Sequence, residues 1–100
     1  MSEAVTDLRG RRIELRPVGV LAQLRLFKVL GPELSENGAY VGLARLAAAV
    51  SAIDGVPVPF PANEAGIEAA LERLGDDGVD AVAEAVKPLS VAAVVAEAGN

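Results

Sequence analysis

From Arg12 to Arg16 polar and apolar residues alternate without exception, Arg12-Ile13-Glu14-Leu15-Arg16, the period of a strand with one buried face. Upstream, Val5-Thr6 precedes Asp7-Leu8-Arg9-Gly10, a turn in which Gly10 can take positive φ, so the N-terminus reads as a β-hairpin. Ile13 and Leu15 fall on one face. Arg12, Glu14 and Arg16 fall on the other, beside Arg11 in the turn. Pro17 closes the strand, and the period changes. Val20 to Leu30 carries Leu21, Leu24, Leu26, Phe27, Val29 and Leu30 and only three polar residues, Gln23, Arg25 and Lys28. The spacing predicts a helix apolar over most of its circumference. In a chain this short it is either central to the core or partly covered by another subunit. Gly31-Pro32 supplies its stop.

Asn37 is placed to cap a second helix, about Ala39 to Val50, with Tyr40, Leu43, Ala44, Ala47 and Val50 at helical spacing. Its Ala47-Ala48-Ala49 run has no bulk, which predicts close approach of a neighbouring helix. Ser51 to Val58 then holds an Asp54-Gly55 pair between β-favouring residues, a hairpin signal around Ile53–Val58. Pro57 confines any strand there to an edge, and Pro57, Pro59 and Pro61 keep Val56 to Phe60 extended. Asn63 caps a third helix, Glu64 to Leu74, stopped at Gly75. Asp76 or Asp77 opens a fourth with Val79, Val82, Ala83 and Val86 at core spacing, ended or kinked at Lys87-Pro88. No repeat and no linker divides the chain, so residues 1–100 read as one domain, with 88–100 as a tail able to move. The fold class is α+β and mainly helical: an N-terminal hairpin, about four short helices and a short second hairpin. An all-helical bundle with the proline-rich segment as a loop is the competing arrangement.

Charge adds polarity to this layout. The net charge is −5, yet residues 1–50 carry seven basic and five acidic residues, a balance of +2, while residues 51–100 carry two basic and nine acidic, a balance of −7. Arg11, Arg12 and Arg16 form a candidate basic pole. Glu64, Glu68 and Glu72, at i, i+4 and i+8 on the third helix, form a candidate acidic pole. Like charges at that spacing each cost about a few tenths of a kcal/mol, so the stripe is either simply solvated or used by a basic partner. Head-to-tail self-association of the two poles is the sharper reading. A net negative chain is poorly suited to nucleic acid, whose binding rests on neutralising phosphates.

With no Cys and no His, thiolate nucleophiles, imidazole bases and the common zinc ligand sets are excluded. Asp76-Asp77-Gly78-Val79-Asp80 begins like a calcium loop, but with Asp76 as position one, position six is Ala81 and position twelve is Lys87 instead of Gly and Glu. No phosphate-cradling glycine motif occurs. Asp54, in Ile53-Asp54-Gly55-Val56, reads as a turn residue. No catalytic, metal or cofactor site is expected, so an enzyme is the least favoured class. Met1 to Leu8 contains Glu3 and Asp7 and no apolar run, so it does not read as a signal peptide. The longest apolar runs, Leu46 to Val50 and Val91 to Ala96, are far short of the roughly 20 residues of a membrane span. A cytoplasmic protein is expected.

The Val5-Thr6-Asp7-x-x-Gly10-Arg11-x-Ile13-x-Leu15 hairpin, the Arg25-Leu26-Phe27 helix, the Asn37 connection and the segment Val50-Ser51-Ala52-Ile53-Asp54-Gly55-Val56-Pro57 make a recognisable series. With the closing Ile67-x-x-x-Leu71-x-x-Leu74-Gly75-Asp76 helix, it resembles the tail assembly chaperones of tailed bacteriophages and prophages. The resemblance covers about residues 4 to 86 and rests on turn and core positions. It implies a small non-enzymatic α or α+β protein of the host cytoplasm that binds the helical tape measure protein before the tail tube polymerises. It also implies that the finished virion lacks it, and that a longer frameshifted product can exist. By position, the hairpin edge and the helix Val20 to Leu30 would be the surfaces for self-association or client binding. Leu21, Leu24 and Phe27 would contact an apolar client stripe, with Arg25 and Lys28 pairing acids at its rim. Two other classes fit the same residues: a structural head–tail or tail adaptor that builds a ring, and a small regulatory module that binds one cellular protein tightly.

Overall fold

The structure is a computed structural model that describes the backbone of residues 3–98 and the side chains of residues 3–86. Four strands, β1 Glu3–Thr6, β2 Arg12–Leu15, β3 Val50–Ile53 and β4 Val56–Pro57, form one antiparallel sheet in the order β1-β2-β3-β4. Three helices accompany it: α1 Val20–Ser35, α2 Gly38–Ala49 and α3 Glu64–Ala98. The fold is α+β. The two hairpins read from the sequence both form, and β2 pairs with β3 to join them into a single sheet.

That pairing contains a bulge between Glu14 and Leu15: Ile13 faces Ile53 and Glu14 faces Ala52, but Leu15 faces Val50. In a regular strand, two residues three apart point to opposite faces. The bulge lets Val50 and Ile53 both enter the core beside Ile13 and Leu15. The turn between β3 and β4 has φ of 48° at Asp54 and 80° at Gly55, positive at both central residues as a tight primed hairpin turn requires. Asp54 also fastens this turn to the first hairpin. Its N–H donates to the Arg12 carbonyl at 2.8 Å and its Oδ1 accepts from the Arg12 N–H at 2.8 Å. Pro57 stands on the edge strand, where its missing donor leaves no ladder bond unmade.

The helices cover the sheet face that carries Ile13, Leu15, Val50 and Ile53. Together with Leu26, Leu30, Ile67, Leu74, Val82 and the alanines of α2 these form one core. Ala44, Ala47, Ala48 and Ala49 are all buried, and α2 lies between α1 and α3, packed on both. Side chains ending at Cβ permit this double approach. Asn37 caps α2 through the Tyr40 N–H at 3.2 Å, and Asn63 Oδ1 accepts from the Gly66 N–H at 2.8 Å at the start of α3.

The expected helix stops become kinks. α1 breaks at Gly31 (φ 78°, ψ 174°) and α3 at Gly75 (φ 65°, ψ −178°), and at each the chain re-enters a helix at once. The four expected helices are thus three, two of them bent, because a single glycine absorbs the change of direction. Pro88 does not end α3, which runs on to Ala98. A proline deletes one helix hydrogen bond and crowds the carbonyl four residues earlier, a cost a helix can carry. Of the expected tail 88–100, the side chains and residues 99–100 lie outside the described residues.

The backbone at Gly75 lies in a region that side chains with a Cβ avoid, at a cost of about 1–3 kcal/mol. Gly75→Ala should therefore lower the unfolding free energy by about that amount. Gly42, within α2 with open space where a Cβ would stand, should respond oppositely. Gly42→Ala should stabilise by about 0.4–1 kcal/mol. Urea denaturation of the pair measures both signs.

Candidate docking surface

On α1 the side chains divide sharply. Leu26 and Leu30 enter the core, whereas Val20, Leu21, Leu24 and Phe27 are 78, 61, 56 and 41% exposed. At 100° per residue, Val20, Leu24 and Phe27 fall on one stripe, with Leu21 and Lys28 along one border and Arg25 beyond them. The structure therefore brings together all five residues singled out on this helix, and adds Val20. Arg25 and Lys28 are exposed and make no ion pair or hydrogen bond among the described residues. The stripe is thus exposed on the chain, and the helix is buried on the Leu26–Leu30 side alone.

The candidate basic pole is broken up. Arg11 is taken into the hairpin turn and Arg16 into the sheet, and only Arg12 is exposed. The Arg16 guanidinium donates through Nη2 to the carbonyl of Val50 at 2.7 Å and to that of Val58, closing the end of the bulged pair. Burial lowers its pKa, and its Nε is buried without a partner. A bulge leaves strand carbonyls off the ladder, and a long cation reaches them. Sequence alternation had assigned this side chain to the solvent face.

Arg11 holds a different position. The buried Asp7 Oδ1 accepts from the N–H groups of Arg9 and Arg11, both at 2.9 Å, and its Oδ2 accepts from Arg11 Nε at 2.8 Å. Arg11 Nη2 lies 2.7 Å from the same carboxylate. The far side of the guanidinium donates to the carbonyls of Arg73 at 2.8 Å and Leu74 at 2.5 Å. Those carbonyls are left free because the chain leaves helical geometry at Gly75, and a cation at a helix C-terminus also meets its dipole favourably. Gly78 makes room: a Cβ there would stand 3.2 Å from Arg11 Nη2 and 3.0 Å from Leu74 Cβ. Burial opposes the charge on Asp7, but the Arg11 N–H, the Arg11 guanidinium and the Arg9 N–H outweigh it and hold the carboxyl below its ordinary pKa.

Glu64, Glu68 and Glu72 are exposed on the first limb of α3, as the periodicity predicts. Their setting is the α2–α3 seam: burial, then the charges of Glu68 and Glu64, raise the pKa of Tyr40 on α2. The Tyr40 hydroxyl is buried without a hydrogen-bond partner.

A groove of about 490 Å³ that the sequence did not reveal lies between the first hairpin and the second limb of α3. Val5, Leu8, Ala81 and Ala85 give it an apolar lining, and Asp77, Asp80 and Glu84 stand along it. Leu8, at the hairpin tip, is 89% exposed. Asp77 pairs with Arg9 at 3.6 Å, while Asp80 and Glu84 are exposed and make no ion pair or hydrogen bond among the described residues. Among those residues no group of three His, Cys, Asp or Glu is arranged to hold a metal ion, and no helix is long and apolar enough to cross a membrane. Compared with known proteins, the chain matches no family model, no curated protein and no solved structure.

Proposed function

We propose that this chain is a non-enzymatic protein-binding module that holds an apolar helical segment of a client against α1. The observation that carries the reading is the uncovered stripe Val20, Leu21, Leu24 and Phe27 with the exposed cations Arg25 and Lys28 beside it. Exposed apolar side chains in a contiguous row mark interaction surfaces, and an amphipathic helix is the natural complement of such a row. A net charge of −5 keeps a protein with this exposure in solution.

The resemblance in residues 4 to 86 makes the reading specific: a phage or prophage tail assembly chaperone acting in the host cytoplasm, with the tape measure protein as client. The stripe is of the kind that a long, aggregation-prone helical protein would need covered before tail assembly. The test is co-expression with the product of the long helix-rich reading frame that this function requires downstream, followed by sedimentation of the soluble fraction. The client alone should pellet; with this protein it should remain soluble, with several copies bound. Leu24→Asp places a charge in the middle of the stripe at a site more than half exposed, so the fold survives. It should weaken client binding at least about tenfold, the effect expected at the centre of an apolar interface. Undiminished binding by a folded Leu24→Asp protein overturns the α1 surface. A client indifferent to this protein, with the chain forming a fixed ring alone, overturns the chaperone in favour of a structural adaptor.

A further inference from the structure

We propose that the groove between the first hairpin and the second limb of α3 receives α1 of a second copy of this chain, giving head-to-tail, open-ended self-association. Three observations on the two surfaces support this occupant. Both are apolar: Val20, Leu21, Leu24 and Phe27 stand exposed on α1, and Leu8 stands 89% exposed over a groove floored by Val5, Ala81 and Ala85. The two also carry exposed charge of opposite sign. Arg25 and Lys28 lie three residues apart on α1, Asp80 and Glu84 four apart on α3, and neither pair has a partner among the described residues. Residues three or four apart are neighbours on a helix surface, so two cations on one helix match two carboxylates on another.

The third observation is placement. α2 stands between α1 and α3, so the stripe and the groove belong to different flanks of the molecule. A surface that fits a different surface on an identical copy forms a heterologous contact, which propagates unless the rotation closes a ring. This relocates the acidic pole. Glu64, Glu68 and Glu72 have the small exposed side chains of Ala65 and Ala69 beside them, whereas Asp80 and Glu84 border an apolar lining. The net charge of −5 repels copies at long range, but at about 0.15 M salt that repulsion is screened beyond roughly 8 Å while contact pairs persist.

The proposal rests on the client reading only for the exposed α1 stripe, which on any one molecule holds either a client helix or a second copy, and its test needs no client. Sedimentation velocity of the full chain over a concentration series should show mass growing with concentration. Asp80→Lys with Glu84→Lys reverses the groove, and Arg25→Glu with Lys28→Glu reverses the helix. All four sites are exposed, and circular dichroism verifies that both variants fold. Each variant alone should associate at least about tenfold more weakly than the parent, since like charges then face each other. Mixed in equal amounts they should associate again, because each reversed helix meets a reversed groove. A parent chain that stays monomeric, groove variants that associate like the parent, or a mixture that stays apart each overturn the proposal. The groove variant keeps the α1 stripe and should still solubilise the client. Loss of client binding with charge-swap rescue intact sinks the client reading alone, and the converse sinks only this one.

Discussion

Leu74→Ala should lower the unfolding free energy by about 3–4 kcal/mol, in the middle of the range for buried leucines. Leu74 has no exposed surface, and it ends the first limb of α3 immediately before the kink at Gly75. Its Cβ and Cδ2 lie 3.0 and 3.1 Å from where a Cβ on Gly78 would be, so the second limb closes over it without slack. Tight surroundings collapse poorly into a void, and the cavity contribution adds to the lost transfer energy. Small domains have about 5–15 kcal/mol in all, so this one change removes a large share of it. A thermal midpoint should fall by roughly 12–30 °C. Leu8→Ala removes the same atoms from a side chain that is 89% exposed, and should stay within about 0.5 kcal/mol of the parent in the same urea experiment. Equal effects at the two sites would mean that the kink region is not packed as described.

Local signals were legible in the sequence, and contacts between distant segments were not. Alternation at 12–16 gave β2 and the inward direction of Ile13 and Leu15. Asn37 and Asn63 gave two helix starts, Asp54-Gly55 gave the second hairpin, and the alanines of α2 gave close packing. Each of these is set by residues within a turn or two of one another. The joining of β2 to β3 crosses about 40 residues, and the bulge that makes it work is a register choice with no residue signature of its own. Arg16 was misread for the same reason. In isolation it is an outward residue of an alternating strand, and only the bulge supplies the carbonyls that draw it in. On α1 the sequence leaves two arrangements open, central to the core or partly covered by another subunit, and the structure shows which side stays exposed. The groove was invisible, since Leu8 and Glu84 are brought together only by the pairing of hairpin and helix.

Arg11→Met should destabilise the protein most at neutral pH, and the gap from the parent should narrow as the solution is acidified. The sign follows from Asp7. Its pKa is depressed in the folded state, so its contribution to stability is present in full above the unfolded value of about 3.9. It is lost as pH falls toward and through the folded value. Methionine keeps the stem of the side chain but removes the charge that faces the buried carboxylate, together with the bonds to the Arg73 and Leu74 carbonyls. At neutral pH both losses register; once Asp7 is protonated only the helix-end loss remains, about 1.5–3 kcal/mol for hydrogen bonds from a charged donor. The two proteins differ at Arg11 alone, so the difference between their curves isolates this cluster. Asp7→Asn completes the cycle: on that background the Arg11→Met effect should show no acid dependence. Urea denaturation of the four proteins between about pH 3 and 7 gives the comparison across the carboxylate range. A gap independent of pH in the Asp7 proteins would mean that Arg11 stabilises the fold only by capping the helix before Gly75, and that the carboxylate is held by the N–H groups of Arg9 and Arg11 alone.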